Sequence, residues 1–170
     1  MAGLILPYRG ILPKIDENAF IAQTAVIAGD VEIGADTGIW YGCVIRGDVN
    51  QIRIGARTNI QDGTIIHCAR DKFPCLIGSD ITVGHAAILH ACTLEDGCFV
   101  GMAATVMDGA RVESGAMVAA GALVTPGKVV RKGELWAGSP AKKLRDLTEA
   151  ELAFFPVSVE HYVNLARDYK

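Results

Sequence analysis

The 170-residue chain has few aromatic residues, few histidines and little net charge. Aromatic side chains make up 6% of it, against 51% for all hydrophobic residues, so its core is built from small aliphatic groups. A net charge of −3 offers no basic surface for nucleic acid or for an anionic membrane. No apolar run reaches the roughly 18 residues of a membrane-crossing helix. The opening MAGLILPYRGILPKID is broken by Pro7 and lacks a basic leader, so it does not read as a secretory signal. Cysteine is odd in number (Cys43, Cys68, Cys75, Cys92, Cys98), and no pair is spaced as CxxC. This usage predicts free thiols in a reducing compartment, the cytoplasm.

Glycine and aliphatic residues are plentiful, and they repeat. From Ile15 the chain divides into sixes: IDENAF, IAQTAV, IAGDVE, IGADTG, IWYGCV, IRGDVN. After an insertion, QIR, the sixes resume as IGARTN, IQDGTI and IHCARD; a second insertion near KFPC interrupts them. They return as IGSDIT, VGHAAI and the short LHACT, and continue to VTPGKV. A period of six matches neither a helix nor a single strand. It matches a short strand plus a turn, with one aliphatic side chain per unit pointing inward and small residues at the corners. Three units close a triangular coil of eighteen residues, and stacked coils pair in parallel about 4.8 Å apart. The expected fold is all-β, a parallel β-helix of about six coils over residues 15–130. Residues 1–14 read as an N-terminal extension and 131–147 as an exit loop. Residues 148–170 read as a helical segment opened by the capping box Thr148-x-x-Glu151, broken at Pro156 and recapped at Ser158.

Three of the four histidines, His67, His85 and His90, fall on two adjacent coils. His67 follows the inward Ile66 and His90 follows the inward Leu89, which makes them equivalent positions one coil apart, pointing outward. His85 lies two residues past Val83, on another face near its corner. The three rings do not converge within one prism. They do converge if three prisms pack around a threefold axis, with His67 and His90 of one chain meeting His85 of a neighbour. Three neutral imidazoles suit Zn²⁺ at about 2.0–2.1 Å with a fourth position open; Fe²⁺ or Co²⁺ also accepts nitrogen ligands.

The stretches VIRGDVNQIRIGARTNIQDGTIIH and VGHAAILH, with the late HYVNL, resemble the γ-class carbonic anhydrases, especially their short bacterial homologues. The resemblance covers nearly the whole chain. It implies a left-handed hand for the β-helix and a homotrimer with zinc held between subunits by His67, His85 and His90. It also implies reversible hydration of CO₂ to bicarbonate by a zinc-bound hydroxide. By position, Gln61 corresponds to the residue that hydrogen-bonds the hydroxide, and Asn59 to a residue just outside the metal ligands. Arg46 and Asp48 correspond to an interface pair, Arg46 also helping to hold bicarbonate. Asp62 corresponds to a structural interface carboxylate, and Tyr162 and Asn164 to a Tyr-x-Asn near the active site.

The chain also departs from that family's prototype. The acidic loop after the first histidine, with its proton-shuttling glutamate, is replaced here by CARDKFPC, and Val49 stands where the prototype has a second glutamate. Three other functions therefore remain open: a hexapeptide-repeat acyltransferase, a coenzyme A thioesterase, and a non-catalytic trimeric assembly subunit stapled by metal.

Overall fold

The computed structural model describes residues 3–170. Its strands form a parallel β-solenoid of about seven turns with one C-terminal helix. The strands fall on three faces. One face carries Ile65–His67, Ile88–His90, Thr105–Val106 and Leu123–Val124. A second carries Cys75–Ile77, Thr93–Leu94, Arg111–Val112 and Val129–Val130. The long strand Val44–Ile54 turns from the first face to the second, pairing Arg46 with His67 and Arg53 with Leu76. The third face runs from Phe20–Ile21 through Gly38–Ile39, Asn59–Ile60, Thr82–Val83, Phe99–Val100 and Met117–Val118 to Glu134–Gly138.

The repeat's aliphatic residues stack in register. Ile45, Ile66, Leu89, Val106 and Val124 form one column. Ile54, Ile77, Leu94, Val112 and Val130 form the second, and Ile39, Ile60, Val83, Val100 and Val118 the third. None of these fifteen is more than 4% exposed. Each contributes about 1.5–3 kcal/mol of burial, so the period of six is itself the hydrophobic core. Close stacking also dictates the small corner residues: a Cβ on Gly84 would lie 2.5 Å from the backbone nitrogen of Met102.

Both ends depart from the expected boundaries. Leu4–Leu6 pairs in parallel with the strand Val26–Ile33, so the N-terminal segment already belongs to the solenoid. Residues 131–147 contain two strands, Glu134–Gly138 and Ala141–Asp146, paired antiparallel, with the first also extending the third face. The exit is therefore a hairpin rather than a loop, because Leu135 and Trp136 continue the ladder after the six-residue period has faded.

The C-terminal segment is one unbroken helix, Glu149–Asp168, with Thr148 as its N-cap and the expected capping box. Pro156 costs one backbone hydrogen bond. However, Phe155, Val159, Val163 and Ala166 keep helical spacing across it and are buried against the prism. Tertiary burial outweighs the local breaker. Ser158 does not cap a second helix; its hydroxyl lies 3.0 Å from Thr82 Oγ1 and ties the helix to the third face.

Candidate metal centre

His67 and His90 are register partners on the first face, as their positions in the repeat require. Their strands alternate, so Ile66 and Leu89 point in while His67, His90, Ile65 and Ile88 point out. The ring centroids are 5.3 Å apart, and His67 Nδ1 lies 3.3 Å from His90 Nε2. The remaining nitrogen of each ring faces a carboxylate. His67 Nε2 is 2.9 Å from Asp48 Oδ1, and His90 Nδ1 is 2.6 Å from Asp108 Oδ1. In neutral rings the carboxylate-facing nitrogens carry the protons. The two facing nitrogens are then both lone pairs, an arrangement that repels unless a cation lies between them. Two ligands of a tetrahedral zinc at about 2.0–2.1 Å stand roughly 3.3–3.4 Å apart, so this donor pair fits such a metal.

His85 sits in the corner turn after Thr82–Val83, with Nδ1 2.9 Å from Asp62 Oδ2. Its Nε2 is the nitrogen left over. All three histidines thus have one ring nitrogen directed at an aspartate, the usual support of a metal-bound imidazole. Within one chain, however, the structure unites only His67 and His90; His85 belongs to a different face.

One single-chain donor group also presents itself, Asp48, His67 and Cys68. Cys68 is 1% exposed, and its thiol donates to the Asn50 carbonyl at 3.1 Å. Burial raises the pKa of that thiol. A protonated, inward-pointing thiol is a poor ligand, so the outward histidines are the better donor set. Burial also acts to raise the Asp48 pKa, but hydrogen bonds from His67 and Arg46 outweigh it and hold the carboxyl below its ordinary value. Arg46 pairs with Asp48 through a short ion pair and stands beside His67 in the ladder.

Gln61 and Tyr162 meet His85 at a cavity of about 330 Å³, walled on its apolar side by Phe99, Met102 and Phe154. Gln61 is 5% exposed. Burial, and then the nearby Asp62 charge, raise the pKa of Tyr162, which keeps its hydroxyl as a donor near neutrality. Asn59 lies underneath rather than in the cavity: its amide donates to Thr82 Oγ1 at 3.0 Å, within the network that holds the helix. Asn164 is on the outer side of the helix, bonded to Glu160 and Arg167. A larger cleft of about 570 Å³ lies elsewhere, beside Lys14, Glu32 and Arg53. Both of its basic groups are paired with Glu32, Lys14 at 3.2 Å and Arg53 at 3.4 Å. Asp108 is the site residue missed from the sequence. Its signal was available: it stands 18 residues after His90, one coil on.

Residues 13–47 match the family described as bacterial transferase hexapeptide (six repeats). The chain is 46% identical to a carbonic anhydrase of Geobacillus kaustophilus, covering 98% of this chain and 91% of that protein. It is 49% identical to the mitochondrial gamma carbonic anhydrase 2 of Arabidopsis thaliana over 91% of this chain, but spans only 58% of that longer relative. A crystal structure of a hexapeptide transferase family protein from Anaplasma phagocytophilum superposes with a TM-score of 0.95 at 51% identity, covering 98% of both chains. With near-complete overlap and this identity to short relatives, the chain belongs to the γ-carbonic anhydrase family.

Proposed function

We propose that the protein is a metal-dependent hydratase that interconverts CO₂ and bicarbonate at sites between the subunits of a homotrimer. The observation that carries this reading is the approach of His67 Nδ1 and His90 Nε2 to 3.3 Å, with the other nitrogen of each ring directed at a carboxylate. An acyltransferase needs one histidine as base; it does not need two stacked imidazoles, each with its far nitrogen on a carboxylate. The metal would be held by His67 and His90 of one subunit and His85 of the next. Zn²⁺ suits neutral nitrogen donors, and Fe²⁺ or Co²⁺ is compatible with them. In carbonic anhydrases the bound metal is known to lower the pKa of its water to about 7.

The chain's own residues supply the remainder. The Gln61 side chain lines the cavity beside His85, where it would orient a nucleophilic water. Tyr162 offers a hydroxyl donor beside it, and Phe99, Met102 and Phe154 give the apolar wall that CO₂ prefers to water. Arg46 is half exposed and remains available to an anionic product. The proton released in each cycle leaves to solvent buffer, because the short loop after His67 lacks the prototype's acidic shuttle. The trimer is supported by the apolar surface around the histidines: Ile65 is 47% exposed, Ile88 41% and Met102 56%. The five free thiols suit a reducing cytoplasm.

A second reading, hydrolysis of a coenzyme A thioester by the same residues, is favoured by the size of the cavity, about 330 Å³, which exceeds what CO₂ requires. Stopped-flow CO₂ hydration by reduced, zinc-loaded protein, with His90→Ala beside it, tests the choice. Hydration lost in the variant supports the hydratase. A metal-replete protein with no hydration sinks that reading and moves the assay to thioesters.

A further inference from the structure

Resting on the reading of His67 and His90 as a metal-holding pair, we infer that Asp108 is a positioning residue that selects which ring nitrogen of neutral His90 faces His67 as an acceptor. Asp-Gly recurs at the corners of this repeat (Asp62-Gly63, Asp96-Gly97, Asp108-Gly109), so the turn accounts for the residue type; what is particular to Asp108 is that its side chain reaches His90. Asp108 sits two residues beyond the inward Val106, in the coil after His90, and its backbone carbonyl already accepts from Gly127 at 2.9 Å. Its side chain is free to turn to the ring, and Oδ1 lies 2.6 Å from His90 Nδ1. Both groups are about one-third exposed (34% and 31%), so the contact is partly shielded from water.

The consequence is specific to one nitrogen. A free neutral imidazole prefers its proton on Nε2. On His90 that proton would point at His67 Nδ1 and block the shared position. A carboxylate at Nδ1 draws the proton there and leaves Nε2 as a lone pair. Asp48 does the same for His67 from the preceding coil, through Nε2. The two carboxylates bracket the histidine pair from above and below, so that the two rings are left with different nitrogens for the metal: Nδ1 on His67 and Nε2 on His90. Asp108 touches no substrate; it acts through His90.

The test uses the full-length protein and zinc alone as the probe. Zinc affinity is measured by chelator competition for wild type, Asp108→Asn, Asp108→Ala and His90→Ala. The His90 tautomer is read in the metal-free protein by ¹⁵N-detected imidazole spectra, and metal-free melting is recorded for each variant. The expected result is a loss of affinity of about 10- to 100-fold in Asp108→Ala, with Asp108→Asn in between because its amide oxygen still accepts from Nδ1–H. His90 should carry its proton on Nδ1 in wild type and on Nε2 in Asp108→Ala, while metal-free melting stays at the wild-type value. Unchanged affinity and tautomer in Asp108→Ala overturn the inference and leave the histidine pair standing. A loss that tracks lowered metal-free melting, with no change of tautomer, also overturns it, as a merely structural role. Zinc binding by wild type no tighter than by His90→Ala removes the metal reading itself, and this inference with it.

Discussion

Two faces of the same prism invert the usual relation between residue character and burial. On the helix-covered face the outward column runs Gly38, Asn59, Thr82, Phe99. On the histidine face it runs Val44, Ile65, Ile88, Thr105. Asn59 and Thr82 are polar yet 4% and 2% exposed, whereas Ile65 and Ile88 are apolar yet 47% and 41% exposed. The polar column is buried because the helix Glu149–Asp168 lies over it and Ser158 satisfies Thr82. The apolar column has no such cover among the described residues. A face of exposed isoleucines flanking the two stacked histidines is where the proposed trimer would seat a second copy.

The sharpest way to break this comparison is to place a lysine on each face. Val159→Lys, on the buried side of the helix, should cost on the order of 3–5 kcal/mol in chemical denaturation, the size of an uncompensated buried charge. Ile88→Lys should leave the stability of the separate chain within about 0.5 kcal/mol and convert the proposed trimer to monomer in sedimentation velocity. A trimer that survives Ile88→Lys would show that the histidine face is not the interface. Next in size is Leu89→Ala, one residue from Ile88 but pointing inward. It should cost about 2–5 kcal/mol, against almost nothing for Ile88→Ala measured on the separate chain. Equal losses would mean that the alternation along this strand is lost in solution.

The same pairs show how much was legible in the sequence. The inward columns could be read directly, because one aliphatic residue every six positions is a local pattern that survives any choice of partner. Leu89 and His90 were placed correctly relative to Ile66 and His67 by counting alone. Asp108 was overlooked although its 18-residue offset from His90 is one coil, since an aspartate in a turn has an ordinary local explanation. Pro156 was read as a break for a similar reason: a local rule was applied where the decisive term was burial of Phe155 and Val159 on either side of it.

A smaller effect tests how the helix is held to its face. Ser158→Ala removes a buried hydroxyl partner of Thr82 and should cost about 1–3 kcal/mol, with a matching loss of hydrogen-exchange protection along the helix. No change in protection would mean that apolar packing alone seats it. Smallest is a pH effect at the helix start. Hydrogen bonds from Arg145 and Thr148 pull the Glu151 carboxyl from its ordinary 4.5 down to about 2. A carboxyl depressed in this way stabilises the fold above its unfolded value, and that contribution disappears as pH falls through the folded one. Melting temperature should therefore drop between about pH 5 and pH 2, and drop less in Glu151→Gln. Parallel curves for the two proteins would dismiss the capping box as a source of acid sensitivity.

By itself the sequence determined the solenoid, because a six-residue period with aliphatic openers has one economical way to bury them. It also determined that His67 and His90 stack, because residues one coil apart on a ladder cannot avoid one another. Only the tertiary structure decided which nitrogens of those rings face each other, since that depends on Asp48 and Asp108 arriving from the coils on either side. It alone decided that the helix runs through Pro156 and covers one face while leaving another open. Those outcomes rest on contacts between residues far apart in the chain, and no local pattern encodes their balance.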